Sequence, residues 1–500
     1  MAGEVEPLNA GRNVSMPMNR KEFLGLVTRG AVTFGATALP WARLRAEPPG
    51  PVMATLSAYM AAAAARTLPA EVVEAAKHHI LDTFAAMISG SELPPGQAAI
   101  ALARAVTGGT IGTVAGSRVL CGPLEAALAN GVMAHADETD DSHGPSQSHP
   151  GSAVVPAALA AAEQFGVDGA GFIRAVALGY DIGPRVTMAL GGVRFRTESH
   201  RSTHSIAGTF GASAAAGCVA RLNAQQMRWL LDYAAQQASG FSAWERDTDH
   251  IEKGFVFAGM PARNGVTAAL VVSLKWSGVD DVFSGEDNFF EANAPAANPA
   301  VLVDRLGERY EVTRTDIKKW TVGSPIQAPL DALDNLLRRR PIDPDQVQRV
   351  VVRLASSAGA VVNNREMPDI CLQHMVAVML LDKTASFAAA HDKPRMQAPA
   401  VLRQRAKVEL VLDEELERLM PQRQAIVEIT LNDGSRLTER VEAVRGTAAN
   451  PMSRDEVVRK CRDLTAPVLG AAVADRLIQA VLTLEQTPDI RSLRPLLQSK

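Results

Sequence analysis

Apolar residues recur at intervals of three and four along most of the first part of the chain, and this spacing predicts helices. One pattern opens at Leu68-Pro69-Ala70-Glu71, carries Val72, Ala76, His79, Ile80, Thr83 and Met87 on one face, and ends at Gly90. Others run over Val154 to Phe165, Phe172 to Met188 and Ser205 to Leu222. Pro156 falls near a helix start, where a missing N–H is tolerated, and Ser202 or Thr203 is the expected N-cap of the last helix. Between these, Leu124, Leu128 and Gly131 repeat at helical spacing, and the same face, if the helix runs on, meets His135, Glu138 and Ser142. Such a stripe begins apolar and ends in an imidazole, a carboxylate and a hydroxyl aimed inward.

Around Ser284 to Ala300 the composition turns to Asn, Pro and acidic residues, which marks a domain boundary. Beyond it strands are predicted at Tyr310 to Thr313, Val347 to Leu354, Lys407 to Leu412 and Ala425 to Leu431, the last turning at Asn432-Asp433-Gly434-Ser435 into Arg436 to Val444. Helices are interleaved at Ile326 to Arg339 and Ile370 to Leu381, and the helical pattern returns from Ser453 to Leu482. The expected fold class is mainly α: a large helical domain over residues 51–290, a smaller α+β domain over 291–447, and C-terminal helices over 448–500 that pack back on the first domain.

Composition adds exclusions. A chain of 500 residues with 47% hydrophobic and 21% charged residues is expected to be a soluble globular protein. A formal net charge of -3 gives no footing for nucleic acid or an anionic membrane, so the expected partner is a small molecule. Cys121, Cys218, Cys371 and Cys461 lie far apart without zinc-site spacing and read as buried thiols. Residues 1–50 are set apart: Asn19-Arg20-Lys21-Glu22-Phe23-Leu24-Gly25 and the mildly apolar run to Leu39 resemble a twin-arginine export signal over residues 18–46. A periplasmic destination follows from that reading; an amphipathic extension on a cytoplasmic protein is the alternative.

The chemistry concentrates between His135 and His149. His135, Glu138, Asp141 and Ser142 fall within eight residues, and Ser148-His149-Pro150-Gly151 follows, which puts His149 just before a helix N-terminus, where free N–H groups favour an anion. A solvated acidic helix end is the plainer alternative for Asp137, Asp140 and Asp141, and the same His and Asp residues are possible metal ligands. His204 falls at another helix start, behind the basic loop of Arg194, Arg196 and Arg201. Lys253 stands before many small and apolar residues, a setting that can lower an amine's pKa and make it an acid or base. Histidines at helix starts beside arginines point to a polycarboxylate pocket.

The run Asn130-Gly131, Ala134-His135, Glu138, Asp140-Asp141, His149-Pro150-Gly151 resembles the MmgE/PrpD family, which contains 2-methylcitrate dehydratase, cis-aconitate decarboxylase and iminodisuccinate epimerase. The resemblance covers roughly residues 52 to 490. It implies an all-helical domain interrupted by an α+β lid with the pocket between the two, activity as a homodimer, and no metal or organic cofactor. By position it implies that Glu138, Ser142 and His149 stand at the family's active-site acidic, Thr and His positions, with His204 near its second His and Lys253 near its lysine. Two positions depart: Trp320 stands where a Tyr is expected and Gln327 where a His is, and an indole cannot act as a phenolic acid.

The expected function is a lyase, in first place a hydro-lyase on a small hydroxy di- or tricarboxylic acid. His149 or His204 would be the base, Lys253 the acid or charge stabiliser, and Glu138 and Asp141 the orienting groups, with Ser142 beside them. Substrate contacts are expected from His135, Arg201, Trp320 and Gln327. An epimerase or isomerase, a decarboxylase, a metalloprotein and an inactive carboxylate binder are the alternatives.

Overall fold

The computed structural model describes residues 48–106, 108–294 and 296–499. The export signal expected over residues 18–46 lies outside the described residues. Within them, helices α1 (Ala70–Gly90), α2 (Pro123–Ala134), α3 (Pro150–Phe165), α4 (Gly169–Leu190) and α5 (Thr203–Val219) cover the stretches of apolar spacing, but α3 starts at Pro150 and not at Val154, so Pro156 lies inside the helix and not near its start. Every residue of α5 is buried. Small residues let the neighbours come close: a Cβ on Gly183 of α4 would meet the Ala207 carbonyl oxygen of α5 at 2.3 Å. That approach maximises van der Waals contact but leaves no room for a larger side chain.

The stretch after α5 is one long helical rod, Ile251–Ser273, built of α6 (Ile251–Gly254), a π turn (Phe255–Gly259) and α7 (Met260–Ser273). It is long and apolar enough to cross a membrane, and two thirds of its apolar window is buried inside the protein. Pro261 explains the π turn: it has no N–H to return to the carbonyl four residues back, so the ladder widens and Met260 N–H reaches the Phe255 carbonyl instead. The turn crosses α2 at Gly131, where a Cβ would lie 2.8 Å from the backbone of Ala258.

Two apolar cores divide the described residues. The first runs from Met53 to Leu497 and takes in Val457, Cys461 and Leu464 of α12 (Arg454–Leu469) and Leu477 and Ile478 of α13 (Ala471–Leu482), so the C-terminal helices do return to it. The second runs from Trp320 to Val444 around helices α8 (Ser324–Arg339), α9 (Ser356–Val362), α10 (Leu372–Asp382) and α11 (Phe387–His391). Its sheet is ordered β4-β3-β5-β6, with β3 (Val347–Ala355) parallel to β4 (Val408–Asp413) and antiparallel to β5 (Ala425–Leu431), which forms a hairpin with β6 (Arg436–Val441). A small hairpin of β1 (Gly112–Thr113) and β2 (Leu120–Cys121) accompanies the first core. Both cores belong to one compact unit from Pro48 onward, with the handover between Ile317 and Trp320.

Two expectations fail locally. The segment Tyr310 to Thr313 is not a strand: Glu311–Arg314 forms a 3-10 turn, because the buried Glu311 carboxylate gathers Arg185, Arg309 and Arg314 around it. Charge pairing there outweighs β propensity. Helix α2 also stops at Ala134 rather than carrying one stripe to Ser142. Asp137 accepts from Thr139 N–H (2.8 Å) and hydroxyl (2.6 Å), an Asx turn that competes with the helix. The freed carbonyls find buried ammonium groups: Lys318 donates to Glu138 O at 2.9 Å and Lys460 to Thr139 O at 3.0 Å.

The α2 crossing yields a test. Gly131→Val should lower the melting temperature, with a loss of about 1–3 kcal/mol from overpacking, read by thermal and urea unfolding; unchanged stability would show that the crossing has slack.

Candidate active site

The ends of several elements converge. Pro150 at N1 of α3 starts the helix and leaves His149 as its N-cap. The Asp141 carboxylate sits at that helix end, accepting from Gly151 N–H at 3.0 Å and from the Tyr180 hydroxyl at 2.5 Å, with His79 Nδ1 at 2.9 Å. Ser202 caps α5, accepting from Ser205 N–H at 3.3 Å, which brings His204 to the first turn. His250 precedes α6 with φ +58, a left-handed conformation unusual for a side-chain-bearing residue, and Lys253 follows one turn later.

Of these, His149, His204, His250 and Lys253 line a cavity of about 620 Å³ together with Glu138, Ser142, Arg196, Trp244, Phe257, Asp316, Lys318, Arg365 and Arg423. Glu138 is its buried anion. His250 Nε2 lies 3.1 Å from Glu138 Oε1, Lys253 Nζ contacts the same oxygen, and Lys318 Nζ lies 3.5 Å from Oε2. Asp140 stands beside it, 2.8 Å from His135 Nδ1, 3.3 Å from His149 Nδ1 and 3.5 Å from Lys318 Nζ. Phe257 stacks on His204 (ring centroids 3.7 Å apart) and on His135 (4.5 Å), and His149 lies 5.1 Å from each of those imidazoles.

The environment drives charges apart. Burial, then the neighbouring His149, pushes His204 well below its ordinary pKa, and burial takes His135 down to about 4 despite Asp140, so both rings are neutral near pH 7. Burial would raise the Glu138 carboxyl, but Lys253 and Lys318 outweigh it and hold it well below the carboxylate range. Asp140 likewise stays ionised against burial, through His135, His149 and Lys318. Burial would lower Lys318, yet Asp140 and Glu138 raise it above the ordinary lysine value. For Asp316 burial outweighs the Ala448 N–H and the charges of His79 and Arg423 and lifts it to about 6.

The fate of His149 matters most. Its Nδ1 lies 2.5 Å from the Asp141 carbonyl oxygen, which can only accept. Nδ1 therefore carries the proton, and in the neutral ring Nε2 is the basic nitrogen.

Of the residues singled out in the sequence, Glu138, Ser142, His149, His204, Lys253 and Gln327 line the cavity, whereas Asp141, His135, Arg201 and Trp320 do not. Asp141 stands behind His149 and accepts from its Nδ1, while His135 bonds Asp140, which lies 3.3 Å from the same nitrogen. Arg201 donates to the Ala238 carbonyl at 3.3 Å. Trp320 is buried in the second core with Nε1 donating to Asp331 at 2.9 Å, and Gln327 spends its amide on the Trp320 and Val322 backbone, so the pair braces the segment that carries Lys318. Sequence reasoning missed His250, which stands three residues before Lys253 and so on one helical face, and Lys318, the first of the two lysines before Trp320. It also missed Asp316 and Arg423, for which no local signal exists.

Residues 54–301 match the MmgE/PrpD N-terminal domain and residues 320–486 the MmgE/PrpD C-terminal domain. The chain belongs to the MmgE/PrpD family. The two matches meet where the cores change hands, and the cavity takes residues from both. The chain is 26% identical over 493 residues to the cis-aconitate decarboxylase-like protein oryM of Aspergillus oryzae, an alignment covering 91% of this chain and 98% of that one. It is 25% identical over 464 residues to cis-aconitate decarboxylase of Aspergillus terreus (86% and 92% covered). With cis-aconitate decarboxylase of Homo sapiens it shares 25% over 458 residues (85% and 90% covered).

Two triads in this MmgE/PrpD site have metal-ligand spacing, His135-Asp140-His149 and His135-Glu138-His250, with donor atoms within 4.8 Å of one another. The ammonium groups of Lys253 and Lys318 already lie against these carboxylates, so a dication would meet two positive charges at contact range.

A second ion pair ties the site loop to the second core. His391 Nε2 lies 3.0 Å from Asp137 Oδ2, and although burial would lower the imidazole, Asp137 raises its pKa to about 9. The unfolded ring titrates near ~6.5, so this stabilisation is full below that pH and is lost as pH rises through 9. Thermal melts should show His391→Gln less stable at pH 6 by up to about 3 kcal/mol, with the gap narrowing in alkali; a gap independent of pH would overturn the assignment.

Proposed function

We propose that this MmgE/PrpD chain is a lyase that needs no cofactor and acts on a small di- or tricarboxylic acid by proton transfer at the carbon α to a carboxylate. What carries the reading is the cavity that joins the His149 imidazole, whose Nε2 is left free by the Nδ1 contact with the Asp141 carbonyl, with the amines of Lys253 and Lys318. In the dehydration form His149 Nε2 removes the α-proton, the electron pair forms the double bond, and hydroxide leaves the neighbouring carbon with a proton from Lys253. Lys318 and Arg196 balance the charge that grows on the substrate carboxylate. Glu138, in contact with Lys253 Nζ, keeps the amine aimed.

A second reading is decarboxylation, supported by the names of the relatives. The carbon–carbon bond to a carboxylate then breaks, carbon dioxide leaves, and the carbon that receives the electron pair takes a proton from the same amine or from a protonated His149.

Incubation with a panel of hydroxy and unsaturated di- and tricarboxylates, followed by mass spectrometry, separates the outcomes: loss of water, loss of carbon dioxide, or solvent deuterium gained without loss, which would mark an epimerase. His149→Ala and Lys253→Met should each lower kcat by about 10²–10⁴-fold in protein that melts normally. Turnover unchanged in both variants would sink the mechanism. Dialysis against a chelator should leave the wild-type rate intact; loss restored by a divalent ion would move the chemistry to the two triads.

A further inference from the structure

The cavity contains more positive charge than proton transfer requires. Lys253 and Lys318 are held by Glu138 and Asp140, Arg196 is turned toward Glu245 (3.0 Å) and Gln147 (3.3 Å), Arg314 and Arg445 pair with Glu311 and Glu456, and Arg365 donates to the Val361 carbonyl at 3.4 Å. Arg423 differs. It lies in the turn before β5, is half-buried, and lines the same cavity from the side of the second core. Among the described residues its guanidinium has no hydrogen-bond or ion-pair partner. Burial and the neighbouring Arg196 both disfavour its charge, and Asp316 and Glu138 compensate only in part. A guanidinium offers five donors in a planar fork and does not shed its proton, so removing it from water without an anion is unfavourable. A carboxylate in the cavity would satisfy the fork and relieve the repulsion between the two arginines.

We propose that Arg423 is the anchor for a second carboxylate of the substrate and thereby makes the site select polycarboxylates over monocarboxylates. The inference rests on the lyase reading for its substrate class but not on any turnover. Arg423 is a specificity residue in this assignment: it holds the end of the molecule away from the bond that breaks. Its place on the second core, while His149 and Lys253 belong to the first, means that a diacid is gripped by both cores at once and a monoacid by one.

The test is calorimetric binding of tricarballylate, which has neither a hydroxyl nor a double bond to lose, and of its terminal monoamide, to the full chain and to Arg423→Gln and Arg423→Lys. Wild type should prefer the triacid by roughly 30-fold or more, as for a desolvated charge pair. Arg423→Gln should bind the two within about threefold, and Arg423→Lys, with charge but no fork, should fall between. Equal weakening of both probes would assign Arg423 a structural role, and an unchanged triacid preference, or no triacid binding by wild type, would overturn the proposal. Circular dichroism and melting of each variant verify the fold. Binding that follows this pattern with no turnover of any acid would leave Arg423 as the anchor and remove the lyase reading; turnover with no effect of Arg423→Gln on selectivity would do the reverse.

Discussion

A carboxylate removed from water is the constraint around which this protein is arranged. Glu138 is 6% exposed and ionised, a state that burial alone opposes by several kcal/mol. Its charge is supported by Lys253 and His250 from the rod that ends in α7 and by Lys318 from the segment entering the second core. Remove any one and the others face an imperfectly compensated charge in a dry place. The site loop, the rod and the second core are therefore coupled through one oxygen pair, and the same logic recurs at Lys460, which joins α12 to Asp82 of α1 at 2.6 Å while donating to the loop carbonyl of Thr139.

The coupling requires that α2 stop where it does. A helix continued to Ser142 would have satisfied its own carbonyls and would have turned Asp137, Glu138 and Asp140 to successive faces. Unwound, the loop sends Asp137 to His391, Glu138 to the cavity and Asp140 to the two imidazoles. The π turn at Phe255–Gly259 makes a matching adjustment on the partner helix, set by Pro261, and places Phe257 flat against His204 and His135. An apolar ring at that spot keeps water from the imidazoles and so helps keep them neutral.

Most of the helices and the hairpin of the second core were legible because periodicity is a local property. The chemical types at the site were legible too, since His149, His204, Glu138 and Lys253 each stand at a helix end or inside an unusual run. What could not be read was how the chain satisfies its freed backbone. The donors to Glu138 O and Thr139 O come from 180 and 321 residues away, so nothing near His135 says that the helix can afford to end. Trp320 and Gln327 were legible as substitutions in a family pattern, but their actual use, bracing the backbone around Lys318, depends on a core assembled from β5, β6 and α8.

The opposed pKa shifts give the geometry its chemical direction. His204 is driven down and Lys318 up within one cavity, so at neutral pH the site holds a neutral ring and a firm cation side by side. These shifts fit the two for standing roles and not for exchanging protons, since a lowered imidazole is a weak base and a raised ammonium a weak acid. An α-proton of a carboxylic acid is too weakly acidic for an imidazole alone, so the fixed cations that would meet the enolate-like charge matter as much as the base. Trp320 weakens the case for a phenolic acid at the family's usual position, but it leaves that cationic wall complete. In the proposed mechanism the donor is then Lys253, which contacts Glu138 and lies 3.1 Å from His250 Nε2 at the cavity wall.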